Sequence, residues 1–217
     1  LILTASGGPF LNRAVSDFGR VTPEEALKHP TWKMGPRITV DSATLMNKGF
    51  EIIEARWLFD IEASSVDVLI HPQSVVHSMV EFVDGSIKAQ LGEPDMKGPI
   101  QYALSYPSRI KNKISTFDFT KNNKFTFEEV DHDKFKCIKL AYEAGEKGGT
   151  YPTVLNVSND MAVDMFLNDH IHFDDIQVII EESLNSHSNI KNPSIEDIKE
   201  TIVKTEEFVN NYKSKKL

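Results

Sequence analysis

This sequence is poor in cysteine and in net positive charge, and it has no long apolar run. Cys137 is the one cysteine among 217 residues, which excludes an internal disulfide and a cysteine-rich metal site. A single thiol fits a reducing compartment, and its setting predicts a small buried residue in a helix. Against 32 Asp and Glu stand 24 Lys and Arg, leaving a formal net charge of −8. That balance argues against nonspecific nucleic-acid binding, which relies on basic patches. No apolar stretch approaches the ~20 residues of a bilayer-spanning helix, and no signal-peptide pattern opens the chain. There is no internal repeat and no low-complexity tract. An initiator Met is missing as well. The opening Leu1-Ile-Leu-Thr4 reads as the inside of a β-strand, so the expectation is the C-terminal portion of a longer polypeptide. What is present, 40% hydrophobic and 26% charged residues, can bury a substantial core in one large domain or two small ones.

The expected fold class is α+β, in three parts. Residues 1–105 read as a mixed α/β domain with a β-sheet, 106–131 as a connector, and 132–217 as a C-terminal four-helix bundle. In the first part, Leu1–Thr4, Val66–Ile70, Val75–Phe82 and Ser86–Leu91 are strand candidates, and Asp84-Gly85 marks a hairpin. Thr22-Pro-Glu-Glu25 has the form of a capping box with Pro at the first helical position, so a short helix is expected there. Ile100–Ser105 reads as another. Helices are expected near 132–147, 153–168, 173–186 and 194–213, separated by Gly148-Gly149, Asn168-Asp169 and Asn192-Pro193. The Lys-rich end, Lys213 to Lys216, reads as a frayed tail.

The densest chemistry lies in Asp41-Ser-Ala-Thr-Leu-Met-Asn-Lys-Gly-Phe-Glu51. Arg37–Val40 before it reads as a short β-rich run, with Asp41 and Ser42 as N-cap types. A helix from that point places Thr44, Asn47, Lys48 and Glu51 on one face, and Met46, Phe50, Ile53 and Trp57 on the opposite, core-facing side. Gly49 costs about 1 kcal/mol against Ala in a helix, so it predicts close approach by another backbone or a ligand. Three further segments carry candidate groups. Ser6-Gly7-Gly8 follows a strand and can aim a hydroxyl and backbone N–H groups at an anion, although such a pair is more often a plain turn. His29 and Trp32 share a loop with Met34 and Gly35, which is either an anchored loop or a lid over a charged ligand. His71 and His77 flank strand ends and read by default as structural, hydrogen-bonded histidines. One carboxylate, Glu51, is a candidate metal ligand but not a metal site.

Together these segments resemble the 1-deoxy-D-xylulose 5-phosphate reductoisomerase family. The resemblance rests on Leu3–Phe10, His29–Gly35, Val40–Glu51, Ile70–Ser78, Leu91–Met96, Cys137–Ala141 and Tyr151–Asn156. It covers nearly the whole chain in order. It implies that 1–105 is a catalytic domain in which Ser6, Ser42, Asn47 and Lys48 bind the phosphate of a sugar phosphate, with His29 close by. Trp32 and Met34 would belong to a mobile lid, with Gly35 toward the NADPH cofactor. Glu51 and Lys48 are the implied catalytic pair, and Glu51 would be one ligand of Mg²⁺ or Mn²⁺, with Co²⁺ as a further option. The implied reaction rearranges 1-deoxy-D-xylulose 5-phosphate and reduces the product with NADPH to 2-C-methyl-D-erythritol 4-phosphate, on the non-mevalonate isoprenoid pathway. A homodimer in the bacterial cytoplasm or a plastid-type organelle is implied too, with no membrane or nucleic-acid partner. The sequence departs from the family at its front. It shows no Gly-rich dinucleotide loop and no Asp-Ser-Glu motif for the other metal carboxylates, so an N-terminal domain is expected to be required. Asp160 stands where many relatives have Glu. The alternatives are a non-catalytic fragment that keeps only phosphate binding or dimer pairing, and another sugar-phosphate isomerase or aldolase.

Overall fold

The computed structural model describes residues 1–212, so the expected tail from Lys213 lies outside the described residues. Five strands form one mixed sheet in the order β4-β3-β1-β2-β5. They are β1 (Ile2–Ala5), β2 (Asp67–Ile70), β3 (Val76–Glu81), β4 (Ile87–Leu91) and β5 (Glu128–Glu129). β1 is buried along its whole length and pairs parallel with β2, Ile2 opposite Asp67, and antiparallel with β3. A parallel neighbour demands a long crossover, and the 61 residues between β1 and β2 supply it with three helices. The expected hairpin is present as β3–β4, and β5 adds an edge strand from within the connector.

The crossover helices are α1 (Pro23–Ala26), α2 (Pro36–Ala43) and α3 (Met46–Phe59). α1 starts on the predicted capping box, with Thr22 and Glu25 each satisfying the other's backbone N–H. α2 corrects the sequence reading. Arg37–Val40 is helix rather than strand, and Asp41 and Ser42 lie inside that helix rather than capping the next. Pro36 at the first position presets the helical φ, while Thr39, Val40 and Ala43 are buried by tertiary packing that local β propensity does not anticipate. The expected single helix is then broken at Leu45, which takes a left-handed conformation (φ 62°) with its side chain 2% exposed. Burial of Leu45 offsets a backbone cost of about 1–2 kcal/mol.

The core face of α3 is Met46, Gly49, Ile52 and Ala55. Phe50 and Ile53 are only partly buried, and Trp57 is 71% exposed, so the predicted Met46–Trp57 stripe is right only at its start. Gly49 does mark a close approach, by a helix and not a ligand. A Cβ there would lie 2.6 Å from the Ala141 Cβ. Thr44 is buried at the end of α2, away from the polar face assigned to it.

After α4 (Lys97–Ser105) and the connector come α5 (Lys136–Lys147), α6 (Tyr151–Leu167), α7 (Asp175–Ser186) and α8 (Ile195–Asn210). α6 packs on α5, α7 and α8, and α5 also packs along α3. Their core is therefore shared with the front of the chain. Phe10, Phe18, Val40, Ala43 and Met46 belong to the same buried cluster as Val154, Phe166, Phe173 and Ile180. A second cluster, including Leu3, Leu45, Ile52, Ile70 and Ile138, joins the sheet to α3 and α5. Cys137 is buried as expected, and burial pushes its thiol up to about 12, which leaves it protonated and inert.

Candidate functional site

An open cleft of about 1220 Å³ lies at the C-terminal end of β1, beside α2 and α3. Every residue proposed from sequence as a site residue lines it: Ser6, His29, Trp32, Met34, Gly35, Ser42, Asn47, Lys48 and Glu51. The glycine pair after β1 is not a plain turn. Gly7 and Gly8 both have positive φ, and a Cβ on Gly8 would lie 2.6 Å from the Ser42 carbonyl oxygen. Only glycine lets this loop approach α2 so closely, and that approach brings Ser6 and Ser42 to the same point.

His29 sits between the two serines. Its Nε2 is 3.0 Å from Ser6 Oγ and 3.0 Å from Ser42 Oγ. On the other side of the ring, Nδ1 accepts from the backbone N–H groups of Thr31 (3.1 Å) and Trp32 (2.9 Å). An Nδ1 that accepts twice carries no proton, so the neutral ring holds its proton on Nε2 and donates toward the serines. Burial holds the His29 imidazolium below its usual range, in keeping with a neutral ring. Ser6 Oγ also accepts from the Gly8 N–H at 3.2 Å. With these oxygens serving as acceptors toward the protein, their hydroxyl protons are available to an anion in the cleft.

The second half of the site is on the first turns of α3. Asn47 Nδ2 donates to Glu51 Oε1 at 2.9 Å, and Lys48 Nζ donates to Glu51 Oε2 at 2.7 Å. The phosphate-type donors and the candidate metal ligand, read separately from sequence, are thus hydrogen-bonded together. Both Glu51 oxygens are engaged, so an anion taken up by Asn47 and Lys48 competes directly with this carboxylate. Among the described residues no three His, Cys, Asp or Glu side chains form a metal-holding group. A hard divalent cation needs several oxygen ligands, and Glu51 supplies one position rather than a complete site.

The cleft also contains residues that sequence reasoning passed over or, for His77, read as structural. His77, Asp95, Met96 and Asn156 line it. Burial lowers the His77 pKa, with opposing hydrogen bonds from Gly92 and Glu93 and repulsion from His71 and Lys48 nearby. Their signal was their place in the quoted segments Ile70–Ser78, Leu91–Met96 and Tyr151–Asn156. His71 borders the same cleft but is itself wholly buried in its wall.

Fold and site define a mixed α/β protein with a polar cleft, its hydroxyls, amide and ammonium converging from three chain segments. A family profile described as "DXP reductoisomerase C-terminal domain" matches residues 91–208, and "1-deoxy-D-xylulose 5-phosphate reductoisomerase C-terminal domain" matches residues 1–59. The chain is 57% identical over 199 residues to the 1-deoxy-D-xylulose 5-phosphate reductoisomerase of Thermoanaerobacter pseudethanolicus, covering 91% of this chain and 52% of that one. It superposes with a TM-score of 0.88 and 41% identity on the Zymomonas mobilis reductoisomerase in complex with NADPH, covering 97% of this chain and 55% of the other. A DOX-P reductoisomerase in complex with NADPH, fosmidomycin and magnesium gives 0.89 and 41%, covering 96% and 53%. The chain belongs to the 1-deoxy-D-xylulose 5-phosphate reductoisomerase family. It spans about half the length of the curated relatives it matches.

Proposed function

We propose that this chain is the substrate-facing portion of a reductoisomerase that rearranges 1-deoxy-D-xylulose 5-phosphate and reduces it with NADPH to 2-C-methyl-D-erythritol 4-phosphate. One observation carries the reading: Ser6, His29, Ser42, Asn47, Lys48 and Glu51 line one cleft, linked by hydrogen bonds in two groups. In it Ser6, Ser42 and Asn47 donate to the phosphate and Lys48 adds a compact positive charge. Remote phosphate binding of this kind fixes the reacting carbons. His29, neutral and protonated on Nε2, holds the two hydroxyls in the orientation that binds the anion. Trp32 and Met34 cover the bound substrate and exclude water, and Gly35, with open space around it, is assigned to the cofactor side. Glu51 contributes one ligand to a divalent cation, whose chemistry when bound is Lewis-acid polarisation of substrate oxygens. The remaining metal ligands and the rest of the NADPH site come from an N-terminal domain, which the activity requires. Residues 1–105 act as the catalytic unit, 106–131 as the connector and 132–217 as the helical unit, in a bacterial cytoplasmic homodimer. Its polar partner is a small sugar phosphate.

The test is reconstitution with an N-terminal half from a relative, following NADPH oxidation on addition of 1-deoxy-D-xylulose 5-phosphate and Mg²⁺. Turnover that is lost on Lys48→Ala supports the reading. A folded, assembled complex without hydride transfer would overturn it.

A further inference from the structure

The segment Asn156–Asp160 of α6 does not belong to the binding residues named above, yet it reaches α2 at two points. Asn159 Nδ2 donates to Asp41 Oδ1 at 2.8 Å across 118 residues of sequence. Asn159 is wholly buried and Asp41 is 5% exposed. One residue further on, Asp160 pairs with Arg37. The two contacts fall one turn apart on α2, at Arg37 and Asp41. They lie within the stretch of α2 that leads from the His29–Gly35 loop to Ser42. Asn156, one turn earlier on α6, lines the cleft itself.

Burial raises the Asp41 carboxyl pKa, while the Asn159 hydrogen bond and Arg37 oppose that rise. A buried carboxyl is costly to leave without partners, so this position is not explained by packing alone. Asn159 Oδ1 is buried without a hydrogen-bond partner, so the amide meets only part of its own bonding capacity to serve Asp41. Apolar residues at both 41 and 159 would avoid that deficit. The geometry therefore favours orientation of α2 over stability as the reason for the pair.

We propose that Asn159 and Asp160 are positioning residues for the substrate site: through Asp41 and Arg37 they set the register of α2 and so place Ser42 against His29 and Ser6. The helical half thereby determines the anion affinity of the other half. This rests on the reading of Ser42 as a phosphate donor. A displacement of about 1 Å at a donor can cost up to ~100-fold in function, so loss of the clamp is expected to be visible.

The test uses the full chain, with inorganic phosphate as probe in calorimetric titration and hydrogen exchange at the α2 amides Thr39–Ala43 as a second readout. Asn159→Leu should weaken phosphate binding about tenfold and speed exchange in α2, and Asp160→Ala should do both to a lesser degree, about threefold. The exchanged pair Asp41→Asn/Asn159→Asp restores the hydrogen bond with its partners reversed, and should recover most of the lost affinity. Ser183→Ala, which removes a buried hydroxyl bonded within α7, serves as the control for general loosening of the helices. It should leave phosphate affinity unchanged. Near-native affinity and exchange in a folded Asn159→Leu chain would overturn the proposal. So would equal loss in Ser183→Ala, or failure of the exchanged pair to recover. A wild-type chain that ignores phosphate would count against the proposed function, and the positioning claim would then stand or fall on the exchange of α2 alone.

Discussion

Two histidines, His29 and His71, show how the same side chain is put to opposite uses. Each has one ring nitrogen accepting two backbone N–H bonds: Nδ1 of His29 from Thr31 and Trp32, Nε2 of His71 from Val75 (3.2 Å) and Val76 (3.1 Å). The difference is in the remaining nitrogen. That of His71 donates to the Thr126 carbonyl at 2.9 Å, and its ring stacks on Phe127 at 4.6 Å with Phe125 at the edge. Every valence of His71 is spent inside the protein, tying the connector to the start of β3. The free nitrogen of His29 faces two hydroxyls at the rim of an open cleft. A closed hydrogen-bond set makes a structural joint, and a set that ends on partly exposed hydroxyls leaves groups open to a ligand.

The largest expected effect tests the structural side of this contrast. His71→Ala strands the Thr126 carbonyl and the Val75 and Val76 amides, and should cost more than about 3 kcal/mol of stability. His29→Ala should stay within about 1 kcal/mol of wild type by denaturant unfolding while phosphate affinity falls. Equal destabilisation by the two variants would erase the distinction. On the functional side, Glu51→Gln in the reconstituted enzyme should lower kcat more than about 100-fold, beyond the usual cost of an outer-sphere partner, with the unfolding midpoint unchanged. A near-normal kcat would remove Glu51 from the reacting centre. For Lys48→Ala the expectation is about a tenfold rise in KM together with a fall in kcat, because a phosphate in the cleft loses its charged partner. Steady-state kinetics with neither parameter changed would return Lys48 to a role of pairing Glu51.

The smallest effect is a pH dependence. Burial lowers the His29 pKa, so between its ordinary value near 6.5 and the folded value the unfolded chain binds the extra proton. The stability His29 contributes is therefore fully present above about 6.5 and is lost as pH falls through the folded value. Protonated Nδ1 can no longer accept from the Thr31 and Trp32 amides, so the His29–Gly35 loop should loosen in the same interval. Trp32 fluorescence in a Trp57→Phe background should report that transition, and His29→Gln should lack it. An identical profile in both would assign the transition to another group.

Much of the site was legible because its side chains are clustered in short segments. Ser6, His29–Gly35 and Asp41–Glu51 each show their chemistry within a few residues, and each contributes side chains to the cleft. The helix boundaries around them were less legible. β-branched Ile38, Thr39 and Val40 imitate a strand, and nothing local in Leu45 signals a left-handed break. Trp57 followed the helical period of Met46 and Phe50 but is 71% exposed, with the Arg56 guanidinium 6.0 Å from its ring centre. Periodicity tells which residues share a face, and only the neighbours decide whether that face is covered.

By itself the sequence determined the donor inventory of the cleft, the strands β1 to β4 and the C-terminal helices, and the glycines that close approach requires, because these depend on residue type and short-range spacing. Only the tertiary structure decided how those donors combine. It joined Ser6 and Ser42 through His29, engaged Glu51 with Asn47 and Lys48, and bound α2 to α6 through Asp41 and Asn159. The physical reason is range. A hydrogen bond acts over about 3 Å, and what comes that close across 118 residues is set by packing of the shared core, not by any local pattern.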